Sequence, residues 1–286
     1  MKPSNVIVRA ISAFVATSAT QLIAGMIAAL LIPTKTTFDP KIMQHILYWM
    51  VLTNGVTVAA LTPAAARTEW RGWRLGAAVA AIPAAIVFIN GIEGSIFLKN
   101  AHIEWNCIFL SNAIGAIFNI PVWALLFGKG GNAAQDHFHP IASKSIGQRA
   151  WRLIACDVSY LVLYIVAGTI IFPYIKAFYA TQTIPPAGTI VALQLLVRGP
   201  AFVLLCLLLL RMLGMPRGSG ALAVGLLFTL LSGVAPLLMP NPYFPDSVRW
   251  MHFMEVTSSN FLFGVIVGSL WGPPKAVPSP ALVHAA

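Results

Sequence analysis

The chain has 286 residues, of which 58% are hydrophobic and only 9% are charged, and its mean hydropathy is +0.81. A soluble domain cannot bury that much apolar surface, so the composition indicates a polytopic membrane protein whose main partner is the lipid bilayer. The net charge of +10 does not indicate nucleic-acid binding, because the basic residues flank apolar runs and no basic stripe with interleaved aromatic residues occurs.

Eight apolar runs are long enough to cross about 30 Å of hydrocarbon. In chain order they cover residues 10–32, 44–65, 75–97, 106–128, 153–173, 187–210, 220–239 and 250–271. The first run follows a basic start but ends in no small-x-small cleavage site, so we interpret it as a membrane helix and not as a cleaved signal peptide. The sequence therefore predicts an all-α bundle of eight transmembrane helices.

The distribution of lysine and arginine predicts the orientation of this bundle. Twelve lie on the side of the N-terminus: Lys2, Arg9, Arg67, Arg71, Arg74, Lys129, Lys144, Arg149, Arg152, Arg211, Arg217 and Lys275. Five lie on the other side: Lys35, Lys41, Lys99, Lys176 and Arg249. The positive-inside rule then places both termini in the cytoplasm. The short loops suit a bacterial cytoplasmic (inner) membrane.

The longest connection, residues 129–148, is polar and Gly-rich and divides the single membrane domain into halves, residues 1–130 and 149–275. Because each half holds four helices, duplicated halves would share one orientation and form a parallel repeat. The pair Asn54-Gly55 precedes Arg67 as Arg198-Gly199 precedes Arg211, and Ser111-Asn112 has a counterpart in Ser259-Asn260. One interpretation of these matches is that the chain consists of two parallel four-helix repeats. The other is that the matches arise by chance, because membrane helices have a standard length.

Four charged residues fall inside the predicted runs: Glu93, Asp157, Arg198 and Glu255. A charge at mid-bilayer costs at least about 2.5–3.5 kcal/mol, so such residues face a protein interior or a cavity. Helical side chains lean toward the N-terminus of their own helix, so Arg198 leans outward and Glu93 leans inward. We therefore predict that Arg198 pairs with Glu93 in the outer half of the membrane, with Glu255 as a second acid nearer the surface.

The surroundings of these charges are small and polar. Asn90, Gly91 and Gly94 flank Glu93, and Asn112, Gly115, Ala116 and Asn119 share one face of the fourth run. Helix breaks are expected at Gly199-Pro200, at Pro121 and from Gly233 to Pro236. Such features line solute sites in many transporters, but small residues also form packing seams and prolines also form plain kinks, so both interpretations stay open.

Two further patterns carry titratable groups. His252 and Glu255 stand at i and i+3 on one helix face, and with Glu93 and His45 they could hold a metal ion. The alternative is an interfacial histidine beside an interior acid. We interpret Asp157 as an acid near a helix N-terminus, close to Arg152, and Asp136, His137 and His139 as part of a solvated loop.

The sequence contains no nucleotide-binding loop, no hydrolase or zinc-protease motif and no pattern that requires a cofactor. Three functional hypotheses remain. The first is a secondary transporter or permease for a small solute, with an outer cavity lined by Asn90, Glu93, Asn112, Arg198 and Glu255, in which an acid carries a coupled proton. The second is a membrane-embedded enzyme that uses Glu93, His252 and Glu255 to bind metal or move protons for a lipid-like substrate. The third is a non-catalytic membrane subunit or assembly factor.

Overall fold

The structure is a computed structural model that describes residues 3–32, 40–98, 104–128, 145–182, 184–239 and 245–273. Within these residues the chain is all-helical, and eight helices are long and apolar enough to cross a membrane. They are α1 (Pro3–Leu31), α2 (Pro40–Arg67), α3 (Gly72–Phe97), α4 (Trp105–Phe127), α5 (Ile146–Tyr179), α6 (Ala187–Leu213), α7 (Arg217–Leu238) and α8 (Asp246–Trp271). The predicted all-α bundle of eight membrane-spanning helices is confirmed.

Most helices are longer than their apolar runs, and α5 shows why. It has 34 residues, whereas its apolar run covers only residues 153–173, because hydropathy marks the part of a helix that lies in hydrocarbon and not its polar ends. The Ser145 hydroxyl caps the first turn by accepting a hydrogen bond from the Gln148 N–H at 3.3 Å. The last residues of the predicted linker, 146–148, are therefore helical, while residues 129–144 lie outside the described part.

Arginines at one end of the bundle bind the carbonyl oxygens with which α6 and α8 terminate. Arg67 Nε donates to the Leu213 carbonyl at 3.1 Å, Arg152 Nη1 to the Leu270 carbonyl at 2.5 Å, and Arg217 Nε to the Gly272 carbonyl at 3.2 Å. The last carbonyls of a helix lack intrahelical donors and carry partial negative charge, so cations are stabilising there. We call this arginine-rich end the inner end and the opposite one the outer end, following the predicted orientation.

The helices of each half have the same neighbours. In the first half α1 packs mainly on α2 and α4, and α4 packs on α3. In the second half α5 packs mainly on α6 and α8, and α8 packs on α7. The halves meet chiefly where α2 contacts α6 and α7. Two parallel four-helix repeats would produce this arrangement, and the repeat itself stays a prediction.

Two helices contain a π-helical turn, and in each case one residue separates the end of the turn from a proline. In α6 the turn covers Gln194–Arg198 and precedes Gly199-Pro200, and in α7 it covers Leu230–Val234 and precedes Ala235-Pro236. In both, the last N–H before the proline bonds to the carbonyl five residues back. A proline lacks an N–H and crowds the carbonyl four residues before it, so widening the turn relieves both problems.

Two of the three predicted breaks are thus π-helical turns. The third, at Pro121, is not a break, since α4 remains α-helical from Trp105 to Phe127. Below the α6 turn, four aromatic side chains (Tyr160, Phe202, Phe228 and Phe263) pack with ring centroids 5.1–5.8 Å apart. Two rings of this cluster, those of Tyr160 and Phe202, also lie close to the guanidinium group of Arg198.

Candidate functional site

A cavity of about 840 Å³ lies inside the bundle. Its wall runs from Phe97, Trp105 and Met239 at the outer end down to Leu61 and Trp123. Apolar side chains dominate the wall, but charged, amide and hydroxyl groups interrupt it, among them Asn54, Asn90, Glu93, Asn112, Asn119, Tyr160, Tyr164, Tyr179, Arg198, His252, Glu255 and Asn260. Its volume is in the usual range for pockets that hold drug-sized molecules.

A cluster of four polar side chains joins α3 to α6, and three of them, Asn90, Glu93 and Arg198, lie on this wall. Arg198 is only 6% exposed, and its Nη1 forms an ion pair with Glu93 Oε2. Arg198 Nη2 donates to Asn90 Oδ1 at 3.0 Å, and Gln194 Nε2 donates to Glu93 Oε1 at 3.1 Å. Both carboxylate oxygens of Glu93 therefore have a donor. We call Asn90, Glu93, Gln194 and Arg198 the ion-pair cluster.

Helix geometry explains how the chain assembles the ion-pair cluster. Asn90 and Glu93 are three residues apart on α3, and Gln194 and Arg198 are four apart on α6, so each pair lies on one helix face. Gln194 and Arg198 are also the first and last residues of the π-helical turn. The guanidinium carbon of Arg198 lies 5.2 Å from the ring centroid of Phe202, within cation–π range. The charge is therefore held between a carboxylate and aromatic rings.

A second polar chain joins α5 to α8 on the same wall. His252 Nδ1 lies 2.8 Å from Glu255 Oε2, and His252 Nε2 lies 2.9 Å from the Tyr179 hydroxyl. With a neutral ring, Nδ1–H donates to the carboxylate and the hydroxyl of Tyr179 donates to Nε2, whereas a protonated ring donates through both nitrogens. We call Tyr179, His252 and Glu255 the histidine chain. Either protonation state of the ring is therefore compatible with both contacts.

The polar face of α4 packs against helices and also reaches the cavity. Asn112 Nδ2 donates to the Ala84 carbonyl of α3 at 2.8 Å, and the Thr20 hydroxyl of α1 donates to Asn119 Oδ1 at 3.1 Å. A Cβ on Gly115 would lie within 2.6 Å of Gln21 Oε1. This face is therefore a packing seam between helices and also part of the cavity wall, because Asn112 and Asn119 also line the cavity.

All five residues predicted to line an outer cavity lie on the wall of this one: Asn90, Glu93, Asn112, Arg198 and Glu255. The predicted pairing of Arg198 with Glu93 is present. Glu255 bonds to His252 and forms no ion pair with Arg198. The role of these residues in binding a solute or a proton stays a prediction.

The metal site predicted at His252 and Glu255 has no third ligand in the part of the chain that the structure describes. No group of three or more His, Cys, Asp or Glu side chains occurs there, and both ring nitrogens of His252 are engaged by Glu255 and Tyr179. The side chain of His45 and the loop residues Asp136, His137 and His139 lie outside the described residues. The metal site stays a prediction.

The interpretation of Asp157 as an acid near the N-terminus of its helix is wrong. Because α5 begins at Ile146, the first turn holds no acidic residue and Asp157 lies about three turns further on. Its carboxylate packs against Gly199, where a Cβ would lie 1.9 Å from Asp157 Oδ1. Oδ1 is buried and has no hydrogen-bond partner among the described residues. Gly199 is therefore required for the close approach of α5 and α6.

Sequence reasoning missed two residues of the site. Gln194 is completely buried and holds one oxygen of Glu93. Its signal was present, since a glutamine four residues before Arg198 in an apolar run shares the arginine's face. Tyr179 ends α5, six residues beyond the last residue of the predicted run, 173. The hydropathy of the chain falls where α5 leaves the hydrocarbon for the polar interface, so the predicted apolar run did not include Tyr179.

The fold and the cavity together define an integral membrane protein of eight helices with a polar site in an otherwise apolar interior. No protein-family model, no curated protein and no solved structure matches the chain. Function is therefore argued from the site alone.

Proposed function

We propose that the protein is a secondary transporter or permease for a small solute, and that the cavity is the solute site. The observation that supports this best is the position of the ion-pair cluster, which borders a void of about 840 Å³. Buried charges that only lock helices together need no void beside them. Charged groups inside membrane proteins that border a cavity commonly mark the path of a solute or an ion.

The two π-helical turns support the same proposal. They occur in α6 and α7, and both helices contribute to the cavity wall, through Arg198 and through Leu231 and Ser232. Discontinuous helices near the membrane midplane form the solute sites of many transporters. In the proposed cycle a solute competes for the hydrogen bonds of the ion-pair cluster, and Glu93 or Glu255 takes up the coupled proton. The protein acts in this way in a bacterial cytoplasmic membrane, and no step needs a cofactor.

The test starts from purified protein and a panel of amino acids, sugars, organic anions and organic cations. We expect at least one class to raise the unfolding temperature and to show counterflow in proteoliposomes. Arg198→Lys keeps the charge but loses the planar fork that binds Glu93 and Asn90 together. It should lower the initial counterflow rate by at least about tenfold, the effect of losing roughly 1.4 kcal/mol.

Glu69→Gln is the control for this experiment. Glu69 is exposed in the connection between α2 and α3 and is not among the residues of the cavity wall, so this variant should transport at the wild-type rate. If no solute class gives counterflow, or if Arg198→Met transports at the wild-type rate, the transporter proposal is wrong. If Arg198→Met is as stable as the wild type and neither protein transports any solute, the third hypothesis is favoured, a non-catalytic subunit or assembly factor.

The histidine chain favours a second candidate, a membrane-embedded enzyme for a lipid-like substrate. A carboxylate that bonds one nitrogen of a histidine fixes the ring so that the other nitrogen can move a proton. His252 is arranged in this way beside an apolar cavity. Elemental analysis separates its metal-dependent form, because a stoichiometric metal that is lost in Glu255→Ala would favour the enzyme. Turnover of added phospholipid, abolished in His252→Gln, would favour the metal-free form.

A further inference from the structure

Carboxylates dominate the charge that the cavity wall presents. The charged side chains among the described residues of the wall are Glu93, Glu255 and Arg198, together with the titratable His252. The ion pair makes Glu93 and Arg198 neutral as a unit. Glu255 has no arginine or lysine partner in the described part of the chain and bonds only a histidine. The described wall therefore carries one net negative charge with a neutral His252 ring and none with a protonated ring, and in neither state is its net charge positive.

The ion pair also turns its acid toward the cavity. The side chain of Glu93 is 21% exposed, and that of Arg198 only 8%. The guanidinium lies behind the carboxylate, against the rings of Phe202 and Tyr160. A molecule in the cavity therefore meets the negative partner of the pair first.

Aromatic rings contribute to the apolar part of the wall. Six aromatic residues line the cavity: Phe97, Trp105, Trp123, Tyr160, Tyr164 and Tyr179. The faces of aromatic rings carry negative potential and attract cations, most strongly where water is excluded. Rings and carboxylates thus favour the same sign of ligand charge.

We propose that the solute of this cavity is an amphipathic organic cation, whose charged group lies near Glu93 and Glu255 and whose apolar part packs on the aromatic wall. This inference rests on the proposed function, whose solute class it names. An anion would meet the two acids before Arg198, and a sugar would leave the aromatic and aliphatic wall without an apolar partner. The cavity is large enough for a drug-sized cation.

The test measures binding of radiolabelled tetraphenylphosphonium to immobilised protein in detergent. Benzyltrimethylammonium and benzylsulfonate serve as competitors, because they have a similar shape and opposite charge. We expect saturable binding that benzyltrimethylammonium displaces and benzylsulfonate does not. Glu255→Gln keeps an acceptor for His252 but removes the charge, and should weaken binding by about tenfold, as expected for a charge interaction over several ångströms. The control Glu69→Gln, which neutralises an exposed acid outside the cavity wall, should bind like the wild type.

Three outcomes would overturn this inference. Equal displacement by the two competitors would show that charge does not select the solute, and unchanged binding in Glu255→Gln would show that the acids are not used. Absence of saturable binding would also overturn it, while the transporter proposal would still hold if an anion, a sugar or an amino acid gave counterflow. Failure of every solute class in the counterflow experiment would overturn the transporter proposal itself.

Discussion

The ion-pair cluster and the histidine chain lie on one cavity wall but differ in the kind of charge they hold. The first connects α3 with α6, across the boundary between the halves, and contains an arginine that cannot lose its proton. The second connects α5 with α8, within the second half, and its base is a histidine that can be neutral. Arg198 therefore needs a negative partner in every state, whereas the charge of the histidine chain depends on whether the His252 ring is protonated.

The two sites should therefore respond differently to the loss of an acid. A buried permanent cation without its counter-charge costs about 3–5 kcal/mol. A histidine without its acid can become neutral, so that only the hydrogen bond is lost, which costs about 1 kcal/mol. The ion-pair cluster should thus contribute more to the stability of the fold than the histidine chain does.

The largest expected effect is that of Glu93→Gln. It leaves Arg198 with hydrogen-bond acceptors but with no negative charge, and should lower the free energy of unfolding by about 3–5 kcal/mol. Glu255→Gln makes the same chemical change in the histidine chain and should cost about 1 kcal/mol. Thermal unfolding of both variants in one detergent measures the difference. Equal losses would show that the permanent charge of Arg198 does not distinguish the two sites.

A double variant separates stability from function in the ion-pair cluster. Replacing both partners of a buried ion pair by apolar residues is often neutral or stabilising, so Glu93→Leu with Arg198→Met should unfold close to the wild type. The same variant should lose solute counterflow. Full counterflow in a stable double variant would show that the pair only joins helices, which is the structural interpretation.

The sequence predicted the ion pair because one charge in a membrane requires another. Arg198 and Glu93 were the charges whose depth and side-chain direction matched, and the structure joins them. The bond from Tyr179 to His252 was not predictable in this way, since it depends on how far α5 extends beyond its apolar run. The contact of Asp157 with Gly199 was not predictable either, because it depends on the approach of two helix backbones.

The second effect in size is that of Gly199→Ala, which acts where α5 meets the π-helical turn that carries Gln194 and Arg198. A methyl group there would lie 1.9 Å from Asp157 Oδ1 and 2.9 Å from the Gln194 carbonyl, so α5 and the π-helical turn must shift. Overpacking of this kind costs about 1–3 kcal/mol. The control is Gly188→Ala in the same helix, where a Cβ meets nothing within 4 Å.

Combining Gly199→Ala with a second substitution shows where its effect acts. Asp157→Ala removes the nearer clash and should restore part of the lost stability. With Glu93→Gln the losses should not add, since both changes disturb the same cluster. With Tyr179→Phe they should add. If the losses of stability instead added with Glu93→Gln and did not add with Tyr179→Phe, the π-helical turn would not be what holds Gln194 and Arg198 in place.

The smallest effect belongs to the outer end of the histidine chain. Tyr179→Phe removes the hydroxyl that lies 2.9 Å from His252 Nε2, and hydrogen bonds between membrane helices are worth about 0.6 kcal/mol on average and about 1.7 at most. Tyr174→Phe in the same helix is the control, because Tyr174 is 74% exposed. Unfolding in detergent should show a loss of about 0.6 kcal/mol for Tyr179→Phe and none for the control. A loss of 3 kcal/mol or more would make the histidine chain as important to the fold as the ion-pair cluster, and the distinction between a permanent and an adjustable charge would then not explain the stability of this bundle.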